Sequence, residues 1–188
     1  MLRIIAGKYK NRVIPTLKKT IYRPSTSRLR EALFSILTSG EFAENQILQG
    51  ANILDAFCGS GSLGFEALSR GAKSVTFIDL NGDCLKLARQ FATTIGELEN
   101  TSFLNLNSQI LPKAADKFDI VFIDPPYHNK LAEKAIDSLL EGGWLLPGAL
   151  LVVEVAKTED LMIPKNIQLI KERLYNNNKL LLLKYEQE

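Results

Sequence analysis

The sequence predicts an α/β protein built on a mostly parallel sheet covered on both faces. Three observations point there. Short apolar, β-rich runs alternate with segments of helical period through the middle of the chain, and a glycine-rich turn follows the first of these runs. The chain then closes on two further β-rich runs around "NNNK", which read as an antiparallel hairpin.

The elements follow in order. Residues 2–6, "LRIIA", and 12–16, "RVIPT", flank the turn-rich "GKYKN" and predict a small β-hairpin, with Pro15 suited to an edge. After the loop "LKKTIYRPSTS", Thr26 or Ser27 caps a helix whose apolar stripe is Leu29, Ala32, Leu33, Ile36 and Leu37. Strands are expected at "ANILDAF" (51–57), "SVTFIDL" (74–80), "TSFLNLN" (101–107), "FDIVFID" (118–124) and "ALLVVEV" (149–155). Helices are expected over 62–70, from about Asn81 to Glu97 with Cys84, Ala88, Phe91 and Ile95 on one face, and over 130–141. The last hairpin pairs "IQLIKERLY" with "KLLLLKYEQ". Two units are expected: residues 1–26 as a basic appendage, and 27–188 as the main domain.

Bulk properties narrow the class. The 188 residues are 46% apolar, enough for a substantial core and too many for a disordered chain. Cys58 and Cys84 offer no disulfide framework, and with a single histidine, His128, they form no recognisable metal spacing. No run is long and apolar enough for a membrane span, and "MLRIIAGKYKNR" lacks the features of a signal peptide. A reduced, cytoplasmic setting and a monomer are the expectation. The net charge of +2 conceals an asymmetry. Residues 1–30 carry nine Lys or Arg and no acid, whereas the rest of the chain holds 14 basic residues against 21 acidic ones, a balance of −7. A polyanionic partner is the natural reading of such a leader. The bland alternative is a solvated surface rich in lysine.

The chemistry gathers at strand ends. "LDAFCGSGSLG" places Asp55, Gly59 and Gly61 between a strand and a helix, where glycine lets a backbone turn tightly and approach a ligand. Counted from Gly59 to Gly64 the loop matches the dinucleotide fingerprint, but an isolated match is weak, and Asp55 suits a cationic, amino-bearing ligand better than a pyrophosphate. Asp79, at the end of the next strand, can accept both hydrogen bonds of a ribose diol, or it can cap the following helix. Asn107 or Ser108 can meet an adenine edge, or cap the short segment after them. The fourth strand delivers "DPPY", Asp124 to Tyr127, to the same crevice. A rigid turn explains its prolines but not the flanking carboxylate and aromatic ring.

Together "DAFCGSGSLGFEALSRG", "FIDL" and "IDPPY" resemble a class I S-adenosylmethionine-dependent methyltransferase acting on an exocyclic base nitrogen. With "RIIAGKYKNR" and "YRPSTSRLREALFSIL" the chain resembles the RsmD family over Leu2 to about Tyr185. That resemblance implies a Rossmann-like seven-stranded sheet and methyl transfer from S-adenosylmethionine to guanine N2 in 16S rRNA, within an assembled or assembling small subunit. It implies a cofactor site of Asp55, Cys58, Gly59, Gly61, Asp79, Leu80, Asn107, Ser108 and Asp124. It implies a catalytic set of Asp124, Pro125 and Tyr127, with no metal. The basic residues Lys8, Lys10, Arg12, Arg23, Arg28 and Arg30 are the candidate RNA contacts. An adenine-N6 methyltransferase, a non-catalytic RNA-binding assembly protein and, more remotely, an NAD oxidoreductase are the competing readings.

Overall fold

A computed structural model describes residues 2–17, 27–126 and 130–187, with Ser27 described by its backbone alone. The expected cap at Thr26 and the expected site residues Arg23 and Tyr127 lie outside the described residues, as does His128.

Seven strands form one sheet: β1 (Asn52–Asp55), β2 (Ser74–Ile78), β3 (Thr101–Leu104), β4 (Phe118–Ile123), β5 (Leu145–Ala156), β6 (Ile167–Tyr175) and β7 (Asn178–Tyr185). Their order is β3-β2-β1-β4-β5-β7-β6. The pairs within β3-β2-β1-β4-β5 are parallel, and β7 and β6 add antiparallel. The central parallel strands β1 and β4 are short and largely buried, whereas β3, at the sheet edge, has no fully buried residue. The β7–β6 hairpin is the one predicted around "NNNK", with Asn176 at φ +47 in its turn.

The helices are α1 (Ser27–Leu37), α2 (Gly40–Glu44), α3 (Ser62–Ser69), α4 (Gly82–Ile95) and α5 (Leu131–Gly142). α2 was not expected; it is a five-residue turn with no buried residue. On one face of the sheet, Leu33 and Phe34 of α1, Phe65 and Leu68 of α3, and Leu85 and Phe91 of α4 pack on Ile53, Phe77, Phe122 and Val152. On the other, Ala132, Ile136 and Leu139 of α5 pack on Leu54, Ile78, Val121 and Val153. The alternation along β1, Ile53 to one side and Leu54 to the other, is the two-residue period of a strand covered twice.

The expected N-terminal hairpin exists, reduced to one antiparallel bridge between Arg3 and Val13. It lies on the main core, where Ile4, Tyr9 and Ile14 join the cluster around Phe34 and Phe65. Glu66 of α3, fully buried, accepts the backbone N–H groups of Ile5 at 2.7 Å and Ala6 at 3.0 Å. Ser69, at the end of α3, donates its hydroxyl to the Ala6 carbonyl and accepts the N–H groups of Lys8, on its own carbonyl, and of Tyr9.

Candidate active site

Parallel strands bring their carboxyl ends to one edge, and four carboxylates meet there from four adjacent strands. Asp79 follows β2, Asp55 ends β1, Asp124 follows β4, and Glu154 belongs to β5. Register sets their heights. Asp55 lies level with Phe77 and Phe122, and Ile123 with Val153, so Asp124 comes opposite Glu154 one residue further on.

The loop from Ala56 to Gly61 is tied down at both ends. Ala56 donates to the Phe122 carbonyl, and Cys58 to that of Ile78. The Asp55 carboxylate turns back to accept the Gly64 N–H at 3.0 Å, inside the first turn of α3. Asp79 Oδ2 reaches across to accept the Gly59 N–H at 2.7 Å, while its Oδ1 accepts that of Asn81. Gly59 has φ +50, and a Cβ there would meet nothing within 4 Å: the loop presents bare backbone to open space. Gly61 and Gly64 serve a different purpose. A Cβ on Gly64 would come within 2.4 Å of the Phe77 ring, and on Gly61 within 2.7 Å of the Phe65 ring. The dinucleotide-like spacing is therefore partly a packing requirement of α3 on β2.

Asn81, not Asp79, caps α4, accepting the N–H groups of Asp83 and Cys84. Leu80 beside it is 66% exposed, an apolar side chain at the mouth of the crevice. Asn105 holds this segment in place by donating Nδ2 to the carbonyls of Asp79 and Leu80. Sequence reasoning assigned Asn105 no role; its place at the end of β3 was the available signal. Asn107 accepts the Gln109 N–H on its side-chain oxygen at 3.0 Å, the bond that the capping reading expects. Ser108 is 3% exposed and donates its hydroxyl to the Ala56 carbonyl, which ties this segment to the glycine loop.

The electrostatics favour a cation. Burial raises the Asp55 carboxyl to about 7, against the Gly64 N–H, with the Asp79 charge adding to the rise. Asp124 is pushed well above the usual carboxylate range, first by burial, then by the charges of Glu154 and Asp55. Burial likewise raises the thiols, Cys58 strongly and Cys84 to about 11, so neither is an activated nucleophile. A carboxylate group under mutual repulsion, beside an open glycine backbone, fits an amino-bearing sulfonium ligand such as S-adenosylmethionine. Among the described residues no group of three or more His, Cys, Asp or Glu could hold a metal ion. Nor is any described helix long and apolar enough to cross a membrane.

Pro125 is buried and Pro126 exposed, so the two prolines leave the strand end at the crevice wall. Lys8, Lys10, Arg12 and Arg28 are exposed, and Lys8 pairs with Glu97 at 3.0 Å. Arg30 requires a correction as a surface contact. It is 1% exposed, its Nη2 donates to the Arg3 carbonyl at 2.7 Å, and its other two nitrogens have no hydrogen-bond partner. The cause is helical spacing: position 30 shares its face with Leu33, Phe34 and Leu37, all buried against the sheet.

Fold and site together define a class I S-adenosylmethionine-dependent methyltransferase of the Rossmann-like type. Comparison with known proteins agrees. The family model described as conserved hypothetical protein 95 matches residues 2–184. A ribosomal RNA small subunit methyltransferase D of Haemophilus influenzae is 40% identical, with 94% of each chain covered. The methylase RP545 of Rickettsia prowazekii is 39% identical over 98% of each. The solved structure of YhhF from Escherichia coli superposes with a TM-score of 0.87 at 30% identity, covering 100% of this chain and 99% of that one. The chain belongs to the conserved hypothetical protein 95 family, and it is similar over nearly its whole length to these methyltransferases.

Proposed function

We propose that this protein transfers a methyl group from S-adenosylmethionine to the exocyclic N2 of a guanine in 16S rRNA, within an assembled or assembling small ribosomal subunit. It does so as a cytoplasmic monomer, with residues 1–26 as the RNA-contact appendage of a methyltransferase domain spanning 27–188. The observation that carries the reading is the delivery of Asp124-Pro125-Pro126 to the edge where Asp55, Gly59 and Asp79 form a cation-suited cradle. The small-subunit rRNA relatives supply the substrate class.

The cofactor supplies an electrophilic methyl; this chain supplies placement. When the cofactor is bound, Asp79 would hold the ribose hydroxyls and Leu80 would pack near the adenine. The Gly59 backbone and Asp55 would hold the methionine end. A guanine amino group is a poor nucleophile because its lone pair is delocalised into the ring. The Asp124 carboxylate and the Pro125 carbonyl accept its two N–H bonds, favouring a tetrahedral nitrogen and stabilising the charge that develops there. Two prolines hold these acceptors still, which is the positioning that in-line transfer requires. Tyr127 stacks on the base, an interaction worth roughly 1–3 kcal/mol. The base must leave its stack to arrive, and the basic leader holds the RNA backbone while it does.

The test is transfer of labelled methyl to unmodified small subunits and to naked 16S rRNA, followed by nucleoside identification, with Asp124→Asn alongside. N2-methylguanosine is expected from the parent, with at least a hundredfold loss in the variant while cofactor is still bound. N6-methyladenosine would overturn the guanine assignment. Cofactor binding without transfer to either RNA would point to a binding-only assembly protein.

A further inference from the structure

Glu154 has no part in the account above, yet it is the fourth carboxylate at the site's edge. It is 6% exposed, and it lies one register step past the Ile123–Val153 pair, on the strand beside Asp124. Asp124 and Glu154 line one small pocket together with Arg30 and apolar side chains that include Leu29, Leu33, Val152 and Leu180. Burying an acid beside apolar side chains is costly unless it is hydrogen-bonded, and Asn178 supplies one such bond to Glu154 at 2.7 Å. We propose that Glu154 is the positioning partner of Asp124, and that the two carboxylates act together as the acceptor for the proton that the target amine gives up on methylation.

The proposal rests on the functional reading above. As the nitrogen lone pair forms the N–C bond, the methyl–sulfur bond breaks and its electron pair stays on sulfur, leaving a neutral thioether. The nitrogen is then cationic. It loses one N–H proton to the carboxylate pair, regains its lone pair, and the pair later releases that proton to water. An isolated aspartate is a weak base for this purpose. Burial and the neighbouring Glu154 charge make Asp124 hold a proton more tightly, which improves it as an acceptor. Two such groups titrate as a pair rather than singly.

Among the described residues, the groups facing Asp124 are few. Asp55 approaches from β1 and also raises it, and Glu154 approaches from β5. From α1 comes Arg30, whose guanidinium donates to the Arg3 carbonyl and feels Glu66 and Arg70 instead. From β7, Asn178 Nδ2 donates to Glu154 Oε1 at 2.7 Å, orienting that carboxylate. Asp79, after β2, acts on Asp55.

The experiment uses Glu154→Gln, which keeps the shape and an oxygen for Asn178 but removes the charge. The Asp124 carboxyl carbon is followed by NMR titration in the cofactor-free protein, its signal assigned by Asp124→Asn. Single-turnover methyl transfer is measured against pH in parallel, with thermal melts to check folding. The Asp124 titration in Glu154→Gln should fall by about one pH unit, a tenfold change in proton affinity. The acid limb of the rate profile should move down with it, and the plateau rate should drop several-fold at unchanged cofactor affinity. Asn178→Ala should move both in the same direction by less, and it stands in if Glu154→Gln does not fold. A lower plateau with an unmoved titration and acid limb would make Glu154 merely structural and sink the proposal. If the parent methylates a guanine amine and the variants match it throughout, the proposal alone fails. If the parent methylates no RNA amine, the functional reading has failed and the proposal falls with it.

Discussion

A buried aspartate that titrates near neutrality is an instrument for detecting a cation. Asp55 is 2% exposed and accepts one backbone N–H, yet burial still carries its carboxyl from 3.8 to about 7. The folded chain therefore binds this proton more tightly than the unfolded one. The stabilisation it brings is complete below about pH 4 and is lost as pH rises towards 7. Asp55→Asn should flatten that part of the stability curve, measured by urea unfolding between pH 4 and 7. A sulfonium and ammonium ligand beside Asp55 favours the ionised form, so cofactor binding at pH 7 should release a fraction of a proton. Calorimetry in two buffers of different ionisation enthalpy reads this directly, and Asp55→Asn should abolish the difference. Asp79 answers to a different demand. It ties the Gly59 loop to the start of α4, so its side chain sets the loop's height as well as facing the crevice.

Among the elements, the N-terminal arm and α3 are the least expected partnership. A short hairpin with one bridge has little stability alone. Here it borrows α3, whose buried Glu66 satisfies two arm N–H groups while also holding the Arg70 side chain at 2.8 Å. Tyr9 hydrogen-bonds Glu97, just beyond the end of α4, which also takes the Lys8 ammonium. Gly7 permits this closeness: its φ is +82, and a Cβ there would stand 1.9 Å from the Ser69 carbonyl oxygen. Gly7→Ala should therefore cost about 1–3 kcal/mol and loosen the arm. The expected result is faster amide exchange at Lys8 and Tyr9 and weaker RNA binding, with cofactor affinity unchanged.

At the scale of the whole molecule, charge and chemistry lie at different places on the sheet. The carboxyl edge holds Asp55, Asp79, Asp124 and Glu154, while Lys8 and Tyr9 sit against Ser69, where α3 ends on the opposite side. An RNA bound to both must run along the helical face rather than stop at the crevice. Lys10→Ala with Arg12→Ala should lower RNA affinity and flatten its salt dependence, by about 0.7 in log–log slope for each phosphate no longer neutralised. The check is binding of 16S rRNA fragments across a salt series, with cofactor affinity as the unaffected control.

The order along the chain of the strands and of every helix but α2, the terminal hairpin, the glycine loop and the acidic strand ends were legible in the sequence, because each is a local pattern of period or turn chemistry. The strand ends ran long in that reading: the expected strand through Phe57 stops at Asp55, and the one through Asn107 stops at Leu104. Past β1 the chain keeps only single hydrogen bonds to the neighbouring strands, Ala56 to the Phe122 carbonyl and Cys58 to that of Ile78, and no ladder continues. What the tertiary structure alone decided was which side chains face which. Arg30 turns inward because α1 lies on the sheet. Ser108 is taken by Ala56, and Asn81 displaces Asp79 as the cap. Glu154, an ordinary acid within "LLVVEV", becomes Asp124's neighbour only through the β4–β5 register. Period is a property of a few adjacent residues; register and facing depend on partners far away in the chain, and no local pattern carries them.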